Sequence, residues 1–326
     1  MAEVKIPKTM QAFAAVSPGK TRIVRINVPT PGENQALVKI ECCVPCNTTD
    51  RYIIQSSFGS QEFPVLVGHE SVGRVVAVGA GVRQLKVGDR VVRANATGAP
   101  FQDGYYSKWG GFAEYGLVED STPVTGLQQL PLHKAALMIA LSETASCIEQ
   151  LGDVTGKTVL VTGTGIAGYT LAYFAKAFGA ARVIVLGRRA SRLKPAKALG
   201  ADEAYVGGTP EWEQRRQIRD ADFVLEATGN AGIFAGGVPL LKQGGLVAFY
   251  GVSETPYTLG QSRDVRTLTF TPQEAKCYEQ VCRLLETDER LTQVLLTHRW
   301  GFSQIEEAFR QVNAGEVIKG MVVMGE

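Results

Sequence analysis

Histidine is scarce in this chain, with three in 326 residues, beside three tryptophans and five methionines. Long apolar runs are absent too. No stretch reaches the roughly 18 residues that a bilayer-crossing helix needs, so no membrane partner is expected. The opening MAEVKIPKTM lacks the apolar core of a signal peptide, and a cytoplasmic protein is expected. Neither sign of charge is in excess. Thirty-four Lys and Arg stand against 32 Asp and Glu, a formal +2, which argues against nucleic acid as a partner. The six cysteines, Cys42, Cys43, Cys46, Cys147, Cys277 and Cys282, show no framework spacing and read as reduced thiols. Internal repeats and low-complexity tracts are missing as well.

The length calls for two domains rather than one core, and a 45% hydrophobic share is ordinary for a soluble enzyme or binding protein. Early on, IVRINVP, ALVKIECCV, VGRVVAVG and KVGDRVV read as short strands bounded by Gly and Pro turns. They suggest an antiparallel or barrel-like unit. LHKAALMIALSETASCIEQ has helical spacing without Gly or Pro and predicts one or two helices. TVLVTG, RVIVLG, DFVLEATG and GGLVAFYGV then alternate with helices, the pattern of βαβ units and a parallel sheet covered on both faces. A helix near QEAKCYEQVCRLLE and a last strand, GMVVMG, follow. The layout read from this is 1–138 as the first part of a β-rich domain, 139–270 as an α/β domain, and 271–326 as a return to the first.

Gly163, Gly165 and Gly168 make a G-x-G-x-x-G pattern directly after TVLVTG. Alone the pattern is weak. Between a buried strand and a helix it reads as a dinucleotide site: a tight turn, a close approach of backbone to pyrophosphate, and a helix N-terminus at Ile166 and Ala167. A strand–turn–helix without ligand is the plain alternative. The next strand ends in Gly187, Arg188 and Arg189, where an NAD site carries an acid. An acid would repel a 2′-phosphate, whereas a small residue before arginines accepts one, so NADP(H) is expected, with Arg192 able to help. A solvated basic turn is the other reading.

The stretches VGHESVGRVVAVGAGVRQLKVGDRVV, GGFAEY, LVTGTGIAGYTLAYFAKAFGA, LGAD, VLEATGN, GGLVAFYGV and VIKGMVV together resemble the medium-chain dehydrogenase/reductase superfamily, in its zinc-type alcohol dehydrogenase-like form. The resemblance implies an α/β protein with a GroES-like β-rich catalytic domain and a Rossmann domain built on a doubly wound parallel sheet. It implies hydride transfer with a nicotinamide coenzyme, a small-molecule substrate, and a homodimer or homotetramer. Thr228, Gly251 and Val252 are the further coenzyme contacts it implies. It matches Cys46 and His69 to two ligands of a catalytic zinc, Glu70 to the acid beside the metal that sometimes ligates it, and Thr48 to the hydroxyl relaying the substrate proton.

The sequence departs from the family at two places. The third-ligand position falls on Ile139 or Ala140, neither of which binds a metal, and the usual C-x-T-D becomes C-N-T-T-D. Read instead as N-x-x-D-x-Y, residues Asn47, Asp50 and Tyr52 resemble the zinc-free quinone and enoyl reductases. RANATGAPFQDGYYSKWGG has no cysteine, so no structural zinc is expected. Two alternatives therefore accompany a zinc-assisted alcohol or polyol dehydrogenase. One is a zinc-free NADPH-dependent reductase of an activated C=C or C=N bond, with Thr48, Tyr52 or Arg51 meeting the developing charge. The other is a catalytically decayed dinucleotide-binding protein. Glu143 reads as an acid near the nicotinamide or, more simply, as a helix-pairing charge. Trp109, Tyr105 and Tyr106 read as pocket lining or core. His133, His298, Cys277 and Cys282 are given packing roles. The loops 53–62 and 94–110 carry no charged signature that selects a substrate.

Overall fold

The computed structural model describes residues 5–56, 62–93, 98–123, 127–253, 256–257 and 264–326, without the side chains of 98–100. The chain first runs through strands β1 (Thr9–Ser17), β2 (Lys20–Asn27), β3 (Gln35–Cys43), β4 (Val65–Leu66), β5 (Ser71–Val78), β6 (Arg90–Val92), β7 (Gly98–Gln102), β8 (Tyr105–Ser107) and β9 (Tyr115–Glu119). Helices Leu132–Ala135 and Met138–Glu149 follow. Next come β10 (Thr158–Thr162), β11 (Arg182–Gly187), β12 (Glu203–Val206), β13 (Ala221–Glu226), β14 (Leu241–Phe249) and β15 (Arg266–Thr269). Helices Tyr278–Thr287 and Glu289–Leu295 precede the last strands, β16 (Leu296–Gly301) and β17 (Lys319–Val323).

Two compact units divide the chain. One takes it up to Ile139, with Cys282–Thr292 and Leu296–Glu326; the other holds Ala140–Val281 and Gln293–Leu295. The sequence reading places the return at residue 271, whereas the contacts place it at Cys282. Burial explains the return: helix Ile305–Asn313 delivers Phe309, which stacks on Phe13 of β1 at 5.5 Å and meets Phe112 edge-on at 5.5 Å. Those rings sit in one buried cluster with Val65, Val67, Trp300 and Val322.

In the first unit the sheets order β2-β1-β4-β8-β7 and β16-β17-β3-β5-β6, with β9 also on β3. Most pairs are antiparallel, as the turn-rich sequence suggests, but β4–β8 and β16–β17 are parallel. In the second unit, β12-β11-β10-β13-β14-β15 are parallel throughout. Val159, Leu160 and Val161 of β10 are wholly buried, which accounts for an apolar run rather than an alternating one. The order reverses between β10 and β13, so the loops after these two strands flank the switch point where open α/β sheets bind ligands.

Candidate functional site

The first site is built around His69. Gly68, at φ 115°, turns the chain out of β4; a Cβ there would lie 2.6 Å from both the ring and the backbone nitrogen of Phe112. His69 and Glu70 follow, both buried. The backbone N–H of Val44 donates to Glu70 O at 3.0 Å and so brings the loop that carries Cys46 alongside. Helix Thr49–Gln55 then supplies Asp50, which is fully buried. One carboxylate oxygen of Asp50 accepts from the Cys46 N–H at 2.9 Å, and the other lies 3.1 Å from His69 Nδ1. Ligand atoms of Cys46, His69 and Glu70 lie within 4.8 Å of one another.

Charge in this cluster is balanced from a distance in sequence. The Lys319 ammonium, buried on β17, pairs with Glu70 Oε1. Burial alone would push the Lys319 ammonium down, but Glu70, Cys46 and Asp50 outweigh it and hold the lysine above its ordinary range. Burial would likewise lower His69, yet the charge and hydrogen bond of Asp50, with Cys46, hold the imidazole well above the histidine range. Glu70 Oε2 is buried and makes no hydrogen bond, a costly state for a carboxylate oxygen. A thiolate, an imidazole and a carboxylate suit zinc. With Nδ1–H held by Asp50, His69 presents Nε2, the carboxylate–histidine arrangement that orients metal ligands. The orphaned Glu70 oxygen fits a cation at the same place.

The sequence-predicted residues fall unevenly around this cluster. Thr48 is the half-buried N-cap of the helix that carries Asp50, and its carbonyl accepts from Tyr52 N at 2.9 Å. Asn47 is exposed, Tyr52 is buried, and Asp50 lies on His69. Asp50 thus serves the Cys46/His69 cluster rather than an Asn47/Tyr52 triad. Ile139 and Ala140 are buried and apolar, and supply no ligand. The Trp109 ring lies 5.7 Å from His69 and has Arg93 over its face at 5.6 Å. Both residues are in the left-handed region, at φ 58° and 55°; that strain in non-glycine residues is common beside functional sites. Tyr106 packs on the same cluster as Trp109. Residues 57–61 and 94–97, within the loops 53–62 and 94–110 that the sequence pointed to, lie outside the described residues. A groove of about 740 Å³ that includes Phe13, Lys20, Arg51, Glu306 and Phe309 contains none of the ligand atoms.

Asp50 and Lys319 were missed as members of this cluster. Signals existed for both: an acid closing C-N-T-T-D, and a lysine within the otherwise apolar strand context of VIKGMVV.

The second site lies at the carboxyl ends of β10, β11, β13 and β14. Gly163, at φ 124°, leaves β10 so close to Thr228 that a Cβ would meet its methyl at 2.8 Å, across the switch point. Gly168 lies against the Gly163 carbonyl, where a Cβ would approach to 2.1 Å. Gly165 caps helix Ile166–Ala177 and borders open space, where an anion would meet free N–H groups. Gly187 is required by Thr164, whose methyl a Cβ would touch at 2.4 Å. Arg188 and Arg189 are exposed, and Arg192 is buried with its carbonyl accepting from Tyr169 Oη at 2.8 Å. Partial burial and the charges of Arg192 and Arg188 hold the Arg189 guanidinium below its ordinary range. Gly251 and the exposed Val252 follow β14. Glu143 accepts from Tyr250 Oη at 3.1 Å, which fits a pairing role. No helix among the described residues is long and apolar enough to cross a membrane.

Comparison with known proteins gives the following. Residues 32–131 match the family described as alcohol dehydrogenase GroES-like domain, and 167–284 the family described as zinc-binding dehydrogenase. D-altritol 5-dehydrogenase of Agrobacterium fabrum is 30% identical over 91% of this chain and 94% of its own. The NADP-dependent isopropanol dehydrogenase of Thermoanaerobacter brockii is 28% identical over 97% of this chain and 100% of its own. A solved Sinorhizobium meliloti protein with NADP bound superposes with a TM-score of 0.83 at 25% identity, covering 97% of this chain and 100% of that one.

Proposed function

Since the chain belongs to the zinc-type, alcohol dehydrogenase-like branch of the medium-chain dehydrogenase/reductase superfamily, we propose that it interconverts an alcohol or polyol and its aldehyde or ketone, with NADP(H) as hydride carrier and zinc as helper. The observation carrying this reading is the convergence of Cys46, His69 and Glu70 within 4.8 Å, with a buried Glu70 oxygen that has no hydrogen bond. Relatives named for D-altritol and isopropanol support an alcohol substrate, and the second is named for NADP.

Zinc held there would act as a Lewis acid, polarising a carbonyl or lowering the pKa of an alcohol. Asp50 orients His69, and Lys319 offsets the carboxylate charge that would otherwise accumulate around Cys46. Glu70 takes the ligand role left open by the apolar Ile139–Ala140. Thr48 passes the substrate proton outward. In the other unit, Gly163, Gly165, Ile166, Ala167 and Gly168 receive the pyrophosphate, and Arg188 and Arg189, beside Gly187, take the 2′-phosphate. Thr228, Gly251 and Val252 complete the coenzyme contacts. A homodimer or homotetramer is the proposed assembly, to be read by light scattering.

The test pairs metal content with turnover. Protein expressed with supplementary zinc should carry about one zinc per chain, as a single three-ligand site requires, and oxidise NADPH with an aldehyde. Little bound zinc, together with turnover of an enone and not of the aldehyde, would overturn the reading.

A further inference from the structure

Glu226 ends β13 and is completely buried, yet it lies on neither the metal cluster nor the glycine motif. Its carboxylate accepts four hydrogen bonds. Oε1 takes the Thr228 N–H at 2.7 Å and the Thr228 hydroxyl; Oε2 takes the Gly229 N–H at 3.1 Å and the Tyr257 hydroxyl at 2.7 Å. Its carbonyl accepts two more, from Tyr250 N at 2.8 Å and Gly251 N at 3.1 Å. An ionised carboxylate offers about four lone-pair sites, and here all are used.

The carboxylate's donors come from the turn after β13 and from Tyr257, whereas the turn after β14 is held by the Glu226 backbone carbonyl. These turns interlock closely. A Cβ on Gly229 would reach Val252 O at 2.2 Å, and one on Gly251 would reach Glu226 Oε2 at 2.4 Å. Onward, the Thr228 hydroxyl accepts from Asn230 N at 2.9 Å, and Asn230 caps helix Ala231–Gly237. The Glu226 carboxylate therefore ties Thr228 and Gly229, beside Gly163, to Tyr257, with Gly251 packed against its Oε2.

We propose that Glu226 is the positioning residue for the nicotinamide half of the coenzyme: its carboxylate ties the turn after β13 to Tyr257 and packs against Gly251, while the adenosine half rests on Gly163–Gly168 and Arg188 without needing it. This rests on the reading of that unit as a nicotinamide coenzyme site, but not on the preference for the 2′-phosphate. Glutamine has nearly the same shape but only one acceptor oxygen, so its amide would face the Gly229 and Tyr257 donors with a donor of its own.

The measurement is dissociation constants for NADPH and for adenosine 2′,5′-bisphosphate, which lacks the nicotinamide, on the full chain. Glu226→Gln should weaken NADPH about tenfold, the scale of losing charge-assisted bonds. The bisphosphate should stay within about twofold of wild type, since its proposed contacts are untouched. Tyr257→Phe, which removes one donor and keeps the charge, should show the same split at about threefold, and it carries the test if the glutamine variant does not fold. Equal weakening of both ligands would mean general loosening and would overturn the proposal, as would no change in either. If wild type prefers NADH, the same split is read with NADH against ADP. Failure of wild type to bind any dinucleotide would instead overturn the coenzyme reading beneath it.

Discussion

Cys46 is half-buried, whereas Cys42, Cys43, Cys147, Cys277 and Cys282 are buried. Burial pushes the Cys42 thiol up to about 12 and the Cys277 thiol to about 11, so neither forms a thiolate near neutrality. Iodoacetamide at mild pH should therefore label Cys46 first, and preloading with zinc should protect it. Peptide mapping that found Cys277 labelled first, or found no zinc protection, would count against Cys46 as a ligand. Arg188 offers a second residue-level test. Arg188→Asp places a repelling charge where the 2′-phosphate is expected, and should weaken NADPH by at least about tenfold while sparing NADH. Equal loss for both would remove the proposed phosphate contact.

At the level of elements, β17 is what ties the end of the chain to the Cys46–His69–Glu70 cluster. Its Lys319 is buried against Glu70 across most of the sequence. Lys319→Met would leave the Glu70 carboxylate buried without its cation, a change that costs about 3–5 kcal/mol when a buried pair loses one partner. Zinc would restore a positive charge at Glu70, so adding it should recover much of the lost melting temperature in the variant. Calorimetry with and without zinc measures this, and a loss indifferent to zinc would argue that Glu70 serves the lysine alone. The sequence reading found β2, β3, β5, β6, β10, β11, β13, β14 and β17, from short apolar or β-branched runs bounded by turn residues. It did not mark β1, because TMQAFAAVS is rich in alanine and becomes a strand only by pairing with β2 and β4. The β7–β8 hairpin was missed for a similar reason, its sequence being dominated by turn-forming residues.

Across the whole molecule, several carboxylates hold backbone N–H groups. Asp120 accepts from Arg83, Gln84 and Leu85 N–H groups, which hold it below the ordinary aspartate range. For Asp222, burial alone would raise the carboxyl, but Lys242 and the Thr158 N–H outweigh it and lower it. Each is more acidic folded than unfolded. Their stabilisation is complete above the unfolded value near ~3.9 and disappears as pH falls through the lower folded values. Melting temperature should be level in this respect from neutrality down to about pH 5, then fall below about pH 4. Asp120→Asn should melt lower at neutral pH and lose less on acidification; a parallel curve would exclude Asp120 from the effect.

The sequence by itself determined the two kinds of domain, the glycine turn, the arginines after β11, and the pair Cys46 and His69. Each of these depends on local periodicity or on residues close together in the chain, where steric and hydrogen-bonding rules act directly. It also located the apolar pair Ile139–Ala140 where a third ligand was expected. Only the tertiary structure decided that Asp50 backs His69, that Lys319 pairs with Glu70, and that Glu226 joins Thr228 and Gly229 to Tyr257. Those partners come from different strands and loops, and a buried charge finds its counter-charge by the packing of the whole unit rather than by neighbourhood in sequence.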